Sequence, residues 1–109
     1  MTESDDERLI GGLARDGCDM TKQREVGLFF FAPSEEVAGA VGRDLRADGW
    51  DSQILAHHGE WIAFANGRWM VVDSESIAKL RRFAEDVADR NGATYHGWQA
   101  KLDPGLTVI

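Results

Sequence analysis

The sequence predicts an α+β domain: a four-stranded antiparallel sheet with two helices on one face, in the order β-α-β-β-α-β, preceded by a short N-terminal helix. Three observations predict it. Arg24 to Ala32 alternates as a strand does and runs into Pro33-Ser34 and an amphipathic stretch. Two more strand-like runs flank the turn residues His57-His58-Gly59-Glu60. Ile77, Leu80, Phe83, Ala84, Val87 and Ala88 recur at helical spacing and close on Asn91-Gly92, with a last strand-like run behind them.

Residues 5–16 form the N-terminal helix on a stripe of Leu9, Ile10 and Leu13, which Gly11 and Gly12 each weaken by about 1 kcal/mol relative to alanine. Asp16-Gly17-Cys18-Asp19 is a turn. In the strand Arg24–Ala32, Val26, Leu28, Phe30 and Ala32 point to one side, and Glu25, Gly27, Phe29 and Phe31 to the other. Both sides are largely apolar, as in a central strand. Ser34 caps the next helix, Glu35 and Glu36 suit its N-terminal dipole, Val37, Ala38, Val41 and Leu45 make its buried stripe, and Gly49 ends it.

Trp50–Ala56 and Trp61–Ala65 make a hairpin. Asn66-Gly67 is a hairpin signal as well, so Arg68–Val72 is either an extra strand or an extended continuation toward the next helix. Ser74 or Asp73 caps that helix, which runs to about Arg90. Thr94–Ala100 is the last strand, and a tail follows with Asp103-Pro104-Gly105 as its turn. This order is that of the ferredoxin-like, split β-α-β arrangement. Two helices on one face leave Phe29 and Phe31, or their alternates, on the other, which calls for a cover: the N-terminal helix, a second subunit or a partner.

A length of 109 residues fits a single domain over 1–109, with an acidic leader over 1–8 that can stay flexible and a C-terminal tail over 101–109. The formal charge is −7. Up to Asp19 there are six acids and two bases, so more than half of the excess lies in the first sixth of the chain. A solvated leader is the commoner meaning of such a block; a handle for a basic partner is the sharper one. An acidic surface repels phosphates and argues against direct nucleic-acid binding. No apolar run is long enough to span a bilayer, the N-terminus lacks the pattern of a signal peptide, and the lone Cys18 suits a reducing compartment, so a cytoplasmic location is expected.

Chemistry-bearing motifs are absent. His57 and His58 are adjacent, His96 is distant, and Cys18 has no C-x-x-C companion, so no metal set or activated thiol is expected. The sequence holds no phosphate-binding glycine loop and no H-E-x-x-H. A non-enzyme without cofactor follows. Two aromatic constellations stand out: Gly49-Trp50, and Tyr95-His96-Gly97-Trp98. Core packing is the favoured reading for Trp50; for Trp98, packing and partner contact both stay open.

Together, Leu13-Ala14-Arg15-Asp16-Gly17-Cys18-Asp19, the aromatic run Phe29–Phe31, the helix ending in Gly49-Trp50, and Gly92 through Tyr95-His96-Gly97-Trp98 resemble the type B regulators of ribonuclease E activity, the RraB family, over about residues 9–100. The resemblance implies a ferredoxin-like domain that binds an endoribonuclease as a protein inhibitor and modulates RNA turnover without catalysis of its own. The matching positions are Asp16, Gly17, Asp19, Gly49, Trp50, Tyr95, Gly97 and Trp98, with His96 where the family has aspartate. Asp16, Asp19, Trp50, Tyr95, Gly97 and Trp98 are thereby the candidate partner-binding residues, and Phe29 and Phe31 the candidate exposed sheet face. The alternatives are a homodimeric assembly domain with another basic partner and, least favoured, a small ligand-binding domain or enzyme using Cys18 and the histidines.

Overall fold

The computed structural model describes residues 3–101; the tail turn at Asp103-Pro104-Gly105 and the first two residues of the acidic leader lie outside the described residues. The elements are α1 (Glu3–Arg15), β1 (Gln23–Ala32), α2 (Glu35–Ala47), β2 (Asp51–His57), β3 (Glu60–Val71), α3 (Ser74–Asn91) and β4 (Thr94–Ala100). The strands form one antiparallel four-stranded sheet in the order β2-β3-β1-β4. Each of the helices α2 and α3 therefore joins two parallel strands that have a third strand between them.

Local chemistry places the boundaries. Ser34 Oγ accepts from the Val37 N–H, capping α2. Asp73, not Ser74, caps α3, in a reciprocal capping box with Ser76. The first two helices end on glycines in the left-handed region, Gly17 at φ +87° and Gly49 at φ +91°. Beyond them, Cys18 N–H donates to the Leu13 carbonyl and Trp50 N–H to the Leu45 carbonyl, the six-to-one bond of the Schellman motif. In each case the residue after the glycine is buried on the helix's own last turn. Gly92, at φ +74°, ends α3. The β2–β3 turn has His58 and Gly59 both at positive φ, as a two-residue type I′ hairpin requires.

Asn66-Gly67 does not open a second hairpin. β3 is one strand of 12 residues, and Arg68 to Val71 keeps pairing with β1. The pairing slips between Val26 and Leu28, so the backbone freedom of Gly67, at φ +86°, is spent on a bulge within the strand. Asp51 packs over it: a Cβ on Gly67 would lie 2.7 Å from Asp51 Oδ2.

One side of the sheet carries the core. Val26, Leu28 and Phe30 of β1 meet Val41 and Leu45 of α2, and Ile77, Leu80, Ala84 and Val87 of α3, all almost fully buried. α1 joins this same layer beside α3, with Leu13 and Cys18 in the core cluster. Among the described residues, no helix covers the opposite side of the sheet.

Candidate functional site

The aromatic residues expected at a contact surface lie inside the protein. Strand pairing sets Trp98 beside Leu28 and Tyr95 beside Phe30, which turns both rings to the helix side. Trp98 Nε1 donates to Asp6 Oδ1 at 2.9 Å, and Arg81 Nε stands 3.6 Å from Asp6 Oδ2. Asp6 is only 3% exposed, so this buried carboxylate pins α1 to β4 and α3 together. Burial, the charges of Asp6 and then Glu85 push the Tyr95 hydroxyl above its ordinary range, against Arg81. Trp50 is buried under the end of α2, with the Arg68 guanidinium 4.8 Å above its ring and in an ion pair with Asp48 at 3.3 Å. These three side chains are at most 7% exposed and pack in the fold, Trp98 also lining a groove beside α1.

Asp16 and Asp19 are exposed, and the turn they flank is braced. Asp19 Oδ1 accepts from the Thr21 hydroxyl at 2.6 Å and the Thr21 N–H at 3.0 Å, which holds its carboxyl below the usual range. The Asp19 carbonyl and that of Lys101 both accept from the buried Arg24 guanidinium. Gly97 sits opposite Phe29, and His96 is the extra residue of a β4 bulge, its ring edge-on to Phe31 at 4.7 Å. The residues of the D-G-x-D and Y-H-G-W segments thus divide between turn bracing, core and the rim of the sheet.

Phe29 and Phe31 do emerge on the uncovered side, half-buried, and neighbouring strands extend them. Phe64 lies opposite Phe29 with ring centroids 5.1 Å apart in an edge-on contact, Ile62 lies opposite Phe31, and Leu55 opposite Ile62. Leu55 is 47% exposed and Trp69, opposite Glu25, is 59% exposed. Leu55, Ile62, Phe64 and Trp69 are additions to the sequence reading. Alternation along residues 60–65 carries the signal for Ile62 and Phe64. Trp69 carried none, since the Gly67 bulge shifts the parity that delivers it to this side. Acidic groups edge the patch: Asp51 and Glu60 share its side, and Glu25 does so in an ion pair with Lys101 at 2.9 Å.

Two shallow grooves of about 370 and 380 Å³ lie elsewhere, one against Met70, Leu80 and Phe83, the other between α1 and Trp98. Among the described residues, no three His, Cys, Asp or Glu side chains gather as a metal site, and no helix is long and apolar enough to cross a membrane. Cys18 is a free, buried thiol against Leu13, away from the histidines' hairpin and sheet positions.

Comparison with known families gives a match over residues 3–100 to the model described as regulator of ribonuclease activity B. The chain belongs to the RraB family. The match begins at the start of α1 and ends with β4, so α1, Asp6 and Trp98 all lie within the matched residues. No curated protein matches the chain. RraB membership suggests a regulator of ribonuclease activity and implies a ribonuclease as partner.

Proposed function

We propose that this RraB-family chain regulates its ribonuclease by binding it through the open face of the sheet, as an inhibitor with no catalytic step of its own. The observation that carries the reading is the apolar patch of Phe29, Phe31, Leu55, Ile62, Phe64 and Trp69, which no other element of the described residues covers while α1, α2 and α3 pack on the other side. An exposed tryptophan beside half-buried phenylalanines on a rigid sheet is the kind of aromatic surface that carries binding energy at protein interfaces. The acidic edge and the net charge of −7 favour a basic rim on the partner and disfavour direct contact with RNA. An endoribonuclease of the ribonuclease E kind, in the cytoplasm, is the partner this reading names. Asp16 and Asp19 contribute at most to steering. Trp50, Tyr95, Gly97 and Trp98 serve by keeping a ferredoxin-like, split β-α-β frame rigid behind the face, within a single domain.

The test is the cleavage rate of purified ribonuclease E on an RNA substrate with the chain added. The wild-type chain slows cleavage, and Trp69→Ala requires at least tenfold more protein for the same effect, about 1.4 kcal/mol of lost binding. Full potency in Trp69→Ala and in Phe64→Ala would remove the open face from the mechanism.

A further inference from the structure

The two edges of the sheet are built differently. β4 is interrupted by the bulge at His96 and is flanked by α1, devices that blunt an edge strand. β2 is seven residues in unbroken register with β3, and its sequence Asp51-Ser52-Gln53-Ile54-Leu55-Ala56-His57 holds no proline and no lysine. Its outer side is bonded to no other strand among the described residues, and all but Ser52 and Ile54 are exposed. A regular, unguarded edge with a leucine 47% exposed is a template for another strand.

The geometry points to a second copy of this chain as that strand: we propose that two chains pair antiparallel along β2 and form one continuous eight-stranded sheet. The full length of β2 pairs with itself only when Ile54 lies on the two-fold axis. That register opposes Asp51 to His57 at both ends, a carboxylate against an imidazole, and opposes Gln53 to Leu55, bringing the two Leu55 side chains to diagonal positions across the axis. A second layer agrees. α2 packs on β2 and runs antiparallel to it, so its acidic first turn, Glu35 and Glu36, lies at the His57 end, and its basic Arg46 at the Asp51 end. The guanidinium of Arg46 reaches the site where a Cβ on Gly42 would touch Ser52, placing that charge over β2. The two-fold sets each acidic first turn toward the other copy's Arg46. Both open faces come out on the same side of the joined sheet, so the pairing leaves the proposed ribonuclease-binding surface free apart from the Leu55 edge, where the two copies meet.

The experiment is light scattering behind gel filtration, on the full chain over a concentration series, with circular dichroism to follow the fold. The wild-type chain is expected to move toward twice the monomer mass as concentration rises. His57→Asp, which opposes two carboxylates, and Leu55→Lys, which guards the edge, are each expected to shift the midpoint to at least tenfold higher concentration with an unchanged spectrum. The charge exchange Asp51→Lys with His57→Asp is expected to restore pairing, which a merely structural role of either residue would not. A wild-type chain that stays monomeric throughout overturns the proposal. So does a dimer indifferent to Leu55→Lys and His57→Asp, which would put the contact away from β2, or pairing along β2 seen only with a segment of the ribonuclease.

Discussion

Trp69 and Asp6 stand at opposite ends of what a single side chain does here. Trp69 is mostly in solvent, so Trp69→Ala is expected to leave the urea unfolding midpoint within about 0.5 kcal/mol of wild type while it weakens ribonuclease binding. Asp6→Ala does the reverse. It strands the Trp98 indole N–H and leaves Arg81, itself largely buried, without its carboxylate, an expected loss of about 2–4 kcal/mol in the same unfolding measurement. Asp73 gives a pH dependence. The Ser76 N–H and then its hydroxyl hold the Asp73 carboxyl below its ordinary value of 3.8, so the cap's contribution is complete above that value and is lost as pH falls through the lower folded one. Asp73→Asn keeps a capping side chain and is expected to flatten that part of the acid limb, while Asp73→Ala costs about 1 kcal/mol at neutral pH. At this scale the sequence disclosed which residues were special but not how. Asp16-Gly17 and Gly49-Trp50 are legible as motifs, yet burial of the residue after the glycine is a property of the Schellman turn, and the Asp6–Trp98 contact joins positions 92 residues apart.

The elements were legible wherever a local signal and the tertiary pairing agreed. Ser34, Asn91-Gly92 and the His58-Gly59 turn each act locally, and each marks the boundary it predicts. Asn66-Gly67 shows where local reading stops. The same preference for positive φ serves a hairpin or a bulge, and only the continued pairing of Arg68–Val71 with β1 chooses between them. That choice sets the parity of everything after it, including Trp69. Gly67→Ala is therefore expected to cost at least 1–2 kcal/mol, from the left-handed backbone and the crowding by Asp51, and to perturb Trp69 fluorescence more than a core change of equal cost. The cover for Phe29 and Phe31 was likewise undecided by pattern. α1 is amphipathic with either placement, and its buried Asp6 is what commits it to the helix side.

For the whole molecule, the element order and the RraB resemblance were readable in short motifs, and the family match over residues 3–100 agrees with them. The pattern offered Phe29 and Phe31, or their alternates, for the open face; the packing selects the first, and the Gly67 bulge that adds Trp69 shows only in the pairing. Once that side is known, an acidic body with a bare aromatic face follows, and with it a salt dependence. Association with a basic nuclease surface is expected to slow as ionic strength rises, while the dissociation rate, governed by the buried aromatic contact, changes less in a stopped-flow or surface-binding measurement. The most direct test of the open-face account is an amide chemical-shift map of the isotope-labelled chain titrated with its ribonuclease. The account expects the largest changes at Phe29, Phe31, Ile62, Phe64 and Trp69, with the outer surfaces of α2 and α3 unmoved. Changes confined to the Asp16–Asp19 turn or to the helical layer would contradict it.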